Sequence, residues 1–437
     1  MSKQIAFTIF FLAAIGVFGY TISRLRRFFK LTKKDFPLDN IPERIRQTLL
    51  VAFGQTKILR RPMIGLMHAF VWWGFLVITI GTAEMMVDGL VGTERFLGKI
   101  LGPVYTAIMA SGDVLAAFIV FACISFLARR YVIKVKRFSG VEMTPTANLD
   151  ATVALLMILF LMVSLLGMNI AYVKLAGAEK VGVYPVSESL QGLVANIGGS
   201  TVAKLHELSW WTHIVLVLVF MNILPYSKHF HVFMSVPNVF FTRLGPYTKL
   251  RNMESVTKEV KAMLDPSATI EPQAADAPIP RFGVKDVEDV NWKNYADSLT
   301  CTQCGRCTSV CPANTTGKLL SPRKILVDLR HRMNDKGPGL SRDPQYTDGK
   351  ALVGDYITQE ELWACTTCNA CVQECPVNID HVSLIVDMRR SLVMEDSSAP
   401  ESLVAMFTNI ENNGAPWQFS PSDRMRWADD LFSNKAS

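Results

Sequence analysis

No Gly-x-Gly-x-x-Gly turn joins a strand to a helix anywhere in the 437 residues, and no phosphate loop ends in Gly-Lys-Ser or Gly-Lys-Thr. Flavin and nicotinamide therefore have no recognisable cradle, and two-electron chemistry on an organic substrate is expected to occur elsewhere. Charged residues are thin at 19%, and there are only seven histidines. The basic residues, which leave a formal net charge of +7, are not interleaved with aromatics as a nucleic-acid face requires, so no nucleic-acid partner is expected. Cysteine is the reverse case, because it is almost wholly committed to one pattern. Of the nine, Cys123 alone stands apart, in an apolar run, and reads as a small buried hydrophobe.

The other eight form two copies of that pattern: Cys301-Thr-Gln-Cys304-Gly-Arg-Cys307-Thr-Ser-Val-Cys311-Pro312 and Cys365-Thr-Thr-Cys368-Asn-Ala-Cys371-Val-Gln-Glu-Cys375-Pro376. Three thiolates at steps of three bind three irons of one cubane, while the fourth, set off by a longer step and turned by proline, reaches the other cluster. The expectation is two 4Fe-4S clusters, one held by Cys301, Cys304, Cys307 and Cys375, the other by Cys365, Cys368, Cys371 and Cys311. Zinc or disulfides are the alternative, but eight cysteines at this spacing are unusual for zinc, and a cytosolic face keeps thiols reduced. Residues 312–364 between the two groups exceed what a compact bacterial ferredoxin inserts, and Ile325 to Met333 looks helical, so a mostly helical module is expected.

The front half differs in kind. Apolar runs near residues 6–23, 64–87, 104–128, 150–174 and 208–227 are each long enough to cross a bilayer. The first lacks a basic leader and a cleavage site, and reads as a retained anchor. Arg24, Arg26, Arg27, Lys30, Lys33, Lys34, Arg60 and Arg61 lie between the first two runs, and Arg129, Arg130, Lys134, Lys136 and Arg137 follow the third. Positive charge marks the cytoplasmic side and suits anionic lipid, which puts the N-terminus outside and the cysteine-rich half in the cytoplasm of a bacterial inner membrane.

Five of the seven histidines belong to the membrane half: His68, His206, His213, His229 and His231. Such residues are functional candidates there. On an ideal helix His213 and His231, 18 residues apart, share a face about 27 Å apart, with His206 close to that face and His229 opposite it; Pro225 is a candidate kink. His68 and His231 both fall near the cytoplasmic surface, where two neutral imidazoles on facing helices hold a six-coordinate b-type haem. The alternative is a pair of interfacial histidines bonded to lipid or backbone. In the outer half, Glu84, Asp113 and His206 suit a quinone pocket with proton exchange; equally, Glu84 and Asp113 suit helix caps or partners of Arg95 or Lys99. His331 and His381 are expected on solvated helices.

The segment Gly54-Gln55, Arg60-Arg61-Pro62, Gly65, His68 and Trp73-Gly74-Phe75, with Trp211-Thr-His213 and Pro225-Tyr-Ser-Lys228-His-Phe-His231, resembles the haem b domain related to the nitrate reductase gamma subunit. That domain precedes helical ferredoxins in membrane-bound heterodisulfide-reductase-like oxidoreductases, including those linking electron transfer flavoprotein to menaquinone. The resemblance implies that His68 and His231 bind a proximal haem and that His213 is one ligand of a distal haem. Ile78 stands where two-haem relatives carry a second histidine, with Met85, Met86 or His206 as substitutes, so one haem is favoured over two. Relatives of the fused type continue into two repeats with a Cys-Cys-Gly signature; here a separate subunit is expected to supply them, with Trp417, Phe419, Trp427, Leu431 and Phe432 either docking it or packing back.

The expected architecture is all-α: a five-span haem b domain (1–250), a linker (251–282) rich in proline, a two-cluster ferredoxin domain (283–395) and a C-terminal tail (396–437). The expected function is electron transfer between a soluble dehydrogenase or electron transfer flavoprotein and menaquinone or ubiquinone. The alternative is a membrane-anchored redox sensor.

Overall fold

The computed structural model describes residues 2–34, 36, 38–265, 267 and 281–433. Five helices are long and apolar enough to cross a membrane: α1 Ser2–Leu31, α2 Pro62–Val91, α3 Pro103–Tyr131, α4 Pro145–Ala176 and α5 Gly199–Ile223. The chain is a membrane protein. Their ends follow from sequence: Pro62, Pro103 and Pro145 occupy first-turn positions where the missing N–H costs nothing, and Gly92 closes α2 at φ 83°. Large apolar side chains such as Ile9, Leu12, Phe121 and Phe160 face outward, as lipid contact demands. The first span runs beyond the expected residue 23, so Arg24, Arg26, Arg27 and Lys30 leave the bilayer on the helix itself.

The fifth span differs from the ideal-helix expectation. Pro225 cannot continue it, and two 3-10 turns, Leu224–Tyr226 and Lys228–Phe230, separate it from α6 His231–Phe240. His213 and His231 therefore lie on separate helices, and the five-turn count between them does not hold. His229, expected to point away, turns into the same cavity as His231, its ring 6.0 Å from the other.

The C-terminal region is helical and, among the described residues, without a β-strand: α7 Trp292–Thr300, α8 Pro322–Leu340, α9 His381–Met394 and α10 Glu401–Asn413. A short helix, Glu254–Leu264, opens the segment expected as linker. Pro266, Pro272, Pro278 and Pro280 of the expected linker lie outside the described residues, as do the side chains of Leu431 and Phe432.

The two halves share a core. Leu25 and Phe28 of α1, with Leu224 and Phe230, pack in one buried cluster with Leu299, Ile325, Met333 and Leu384. Each such side chain contributes about 1.5–3 kcal/mol on burial. Around this core run buried polar ties. Arg323 of α8 donates to Glu142 at 2.6 Å and to the carbonyl oxygens of Arg137 and Ser139. Asn238 of α6 donates to Asp297 at 2.9 Å and to the Val377 carbonyl at 3.0 Å, while Lys293 bonds both Asn238 and Asp297. Lys57 and Arg60, part of the basic stretch before α2, donate to the carbonyls of Cys375 and Gln373. These cations thus serve protein docking as well as any lipid surface.

Candidate functional site

The cysteine motifs fold as a repeated unit. Gln303 and Thr367, each just before the second cysteine of its motif, have φ of 56° and 54°; Gly305 and Asn369, just after it, have φ of 71° and 60°. Alternating into the left-handed region turns successive backbone N–H groups toward one concavity, which suits an anionic cluster. One small cavity is lined by Cys301, Cys304, Cys307 and Cys375, the other by Cys311, Cys365, Cys368 and Cys371. Each motif's fourth cysteine has crossed to the other motif's cavity. Among the described residues no three His, Cys, Asp or Glu side chains converge closely enough to share one ion. A tetrahedral zinc would draw its sulfurs to within about 4 Å of one another, whereas in a cubane each thiolate bonds its own iron and the sulfurs stand wider apart. Burial pushes the Cys375 thiol up to about 12, although the backbone N–H of Ile379 and that of Val377 oppose this.

Where the spans meet this module, a cavity of about 300 Å³ holds His68 of α2 and His231 at the start of α6. Their ring centroids are 6.4 Å apart with planes 34° from parallel. Two metal–nitrogen bonds plus the half-width of each ring add to about 6 Å, so one metal fits between them. His231 Nδ1 lies 3.3 Å from the Lys228 carbonyl, which leaves Nε2 as the ligating atom, while His68 Nδ1 is buried without a partner. Burial lowers His231 to about 4, keeping the imidazole neutral as ligation requires. Apolar side chains such as Val71, Leu155 and Phe220 share the walls with several cations, and Cys304 lines the same cavity. This set fits a b-type haem.

His213 lies outside that cavity. Its Nδ1 is 2.9 Å from the Leu161 carbonyl and 3.3 Å from Ser164 Oγ, and its buried Nε2 has no partner. Ile78 packs among Ala116, Ile119 and Leu161.

At the opposite end of the bundle a cavity of about 350 Å³ brings Glu84, Asp113 and His206 together, with Met85 in its wall. Asp113 is fully engaged there: it accepts from the backbone N–H of Val186 and Ser187 at 2.8 and 2.9 Å, from Ser187 Oγ and from Asn169. It caps the short helix Pro185–Ser189. Glu84 accepts from the Leu97 N–H at 2.9 Å and from Tyr105 at 3.0 Å, and Arg95 lies over the Tyr172 ring while donating to Tyr105 and Tyr184.

Several residues near the cofactor sites were not legible in the sequence. His381 is not on a solvated face: it is 1% exposed and lines the Cys301 cavity, because its position opens α9 directly after the Cys375 loop. His331 is exposed, as expected. Arg137 and Arg306 line the haem-sized cavity.

Residues 293–376 match the 4Fe-4S dicluster domain family. This is an iron-sulfur protein. Over 98% of its length the chain is 28% identical to a probable iron-sulfur-binding oxidoreductase, FadF, of Bacillus subtilis, covering 61% of that protein. Over 90% of its length it is 28% identical to the EtfAB:quinone oxidoreductase of Syntrophomonas wolfei, covering 55% of it. A probable membrane-anchored ferredoxin of Chromohalobacter salexigens is 36% identical over 36% of this chain and 25% of its own. The chain thus spans a little over half the length of the first two relatives. No solved structure matches it.

Proposed function

We propose that this iron-sulfur membrane protein is the electron-transfer subunit of a quinone-linked oxidoreductase, working between a soluble partner and the quinone pool. The observation that carries the reading is a single cavity lined both by His68 and His231 and by Cys304. In this reading Cys301, Cys304, Cys307 and Cys375 hold one 4Fe-4S cluster, Cys311, Cys365, Cys368 and Cys371 hold the second, and His68 and His231 hold haem b. When bound, these groups supply one-electron carriers, and the protein sets their order and environment. The shared apolar core packs the module against the spans, and the fourth cysteines cross between the two cysteine cavities. The relative named EtfAB:quinone oxidoreductase supports electron transfer flavoprotein as the partner; a dehydrogenase is the other candidate, and a separate subunit with Cys-Cys-Gly repeats is proposed to mediate the contact.

Basic residues at the module end favour a cytoplasmic module in a bacterial inner membrane, N-terminus outside, with 1–250 as the haem domain, 251–282 as linker, 283–395 as ferredoxin and 396–437 as tail. The cavity containing Glu84, Asp113 and His206 is the proposed quinone pocket, in which Glu84, Arg95 and His206 offer the hydrogen bonds, since Asp113 is spent on its cap. One haem is favoured, because Ile78, packed among Ala116, Ile119 and Leu161, stands where a second histidine would be needed.

The test is a reduced-minus-oxidised optical spectrum with pyridine-haemochrome quantitation on purified protein, followed by dithionite reduction and addition of a soluble menaquinone analogue. About one b-type haem per chain, lost in His68→Ala, retained in His213→Ala and reoxidised by the quinone, is the expected result. A protein with clusters but no haem, whose clusters ignore quinone, would leave a redox sensor as the better reading.

A further inference from the structure

The cavity between the spans and the module is walled by five cations, Arg129, Arg130, Arg137, Lys228 and Arg306, and by no carboxylate. Elsewhere buried cations are matched: Arg323 by Glu142 across the boundary, and within the module Arg332 by Asp286 and Asp348 and Lys293 by Asp297. Here they are not. Lys228 donates to the neutral Gln303 side chain at 2.9 Å and to the Ala147 carbonyl. Arg306, 5% exposed, donates to the Lys57 carbonyl at 3.2 Å. Arg137 lies over the Phe138 ring, and its Nε and Nη1 are buried with no hydrogen-bond partner.

An unmatched buried charge costs several kcal/mol. Lys228 and Arg306 are buried, Arg137 keeps two buried nitrogens without a partner, and no carboxylate lines the void, which suits a ligand that brings more than one negative charge. Burial, and then the crowding of Arg61, Arg306 and Arg129 against the relief given by Cys304, push Arg137 below the ordinary arginine value. An anion would reverse that.

We propose that Arg137 and Arg306 form a carboxylate-binding subsite that pairs with the two acid side chains of the tetrapyrrole held between His68 and His231. The inference rests on the haem reading above. Its content is separate from that reading, because axial ligation needs only the two histidines, whereas the clamp draws one arginine from the loop after α3 and one from between Cys304 and Cys307. The tetrapyrrole's acids then join the membrane half to the cluster loop by charge-assisted hydrogen bonds. The Cys304-Gly305 backbone is held against this loop: a Cβ on Gly305 would meet the Arg137 carbonyl oxygen at 2.3 Å.

The experiment compares uptake of iron protoporphyrin IX with uptake of its dimethyl ester by haem-depleted full-length protein, read by optical titration, with iron and sulfide content as the check on folding. Wild type is expected to prefer the free acid by about tenfold or more, the scale of a charged hydrogen bond. In Arg137→Gln and Arg306→Gln that preference should fall toward unity while affinity for the ester is unchanged. Arg137→Lys should restore part of it, and the haem midpoint potential should drop in Arg137→Gln, because an unpaired carboxylate stabilises ferric iron. Should Arg306→Gln lose its cluster, Arg137→Gln, outside the cysteine loops, decides the matter. Equal uptake of acid and ester by wild type, or an unchanged preference in Arg137→Gln, overturns the clamp and leaves an anionic lipid headgroup as the occupant. Wild type that takes up neither porphyrin overturns the haem reading itself and the clamp with it.

Discussion

Arg323 Nε lies 2.6 Å from Glu142 Oε1, and both side chains are at most 2% exposed. One belongs to α8 of the iron-sulfur module, the other to the loop after the third span. Removing one partner leaves the other charge buried and unpaired, at a cost of about 3–5 kcal/mol. Glu142→Ala should therefore lower the midpoint of unfolding in detergent and open the loop containing Arg137 to protease, whereas the double replacement Glu142→Met with Arg323→Met should recover much of the loss. Equal stability of single variant and wild type would show that the pair contributes little to docking.

Crossed ligation predicts an unusual pairing of phenotypes. Cys375→Ala should abolish the cluster of the first motif and Cys311→Ala that of the second, each leaving about four irons per chain. Electron paramagnetic resonance of reduced protein identifies the survivor. If Cys375→Ala instead matched Cys365→Ala in its lost signal, each motif would hold its own cluster.

Thiol reactivity after cluster removal should rank by exposure and burial. Cys368 is exposed, while Cys375 is buried and its thiol pushed up to about 12. Only the thiolate reacts. Mass spectrometry after brief iodoacetamide treatment at pH 8 should find Cys368 alkylated well before Cys375; comparable rates would mean that the loops open when the clusters leave.

Asp328 on α8 gives a pH signature. Burial raises its carboxyl to about 6 from 3.8, against the pull of Lys324 at 2.7 Å. The folded state therefore keeps a proton that the unfolded state releases between those values. The resulting stability is present below about pH 4 and is lost as pH rises to 6, on the order of 2 kcal/mol. Asp328→Asn should flatten this stretch of the Tm profile and raise Tm at pH 7, Lys324 retaining Glu361 at 2.9 Å. A variant less stable than wild type at pH 7 would mean that the ion pair outweighs desolvation.

The spans, the helical module and the grouping of eight cysteines were legible because each rests on a local rule: apolar run length, proline and glycine punctuation, and thiol spacing. The nearness of His68 to His231 was legible too, from their depth relative to the basic segments. What failed was geometry that depends on a break. The helix break at Pro225 put His229 into the cavity it was expected to avoid. His381 looked solvated because nothing in its neighbours announces that α9 starts against the Cys301 loop. Arg137 and Arg306 carry no spacing signal at all, since their meeting depends on docking two distant segments.

Phe28, at the end of the first span, is 1% exposed and rests against Gly337 of α8, where even a methyl group would meet its ring at 2.9 Å. The ribosome makes Phe28 early and Gly337 late. Until α8 emerges, the lower end of α1 stands with an aromatic face uncovered, and the iron-sulfur module, when it arrives, closes its own interior on a residue inserted long before. Maturation is thus ordered in time: membrane insertion comes first, and the soluble-looking half has no complete core of its own to fold around if expressed without it.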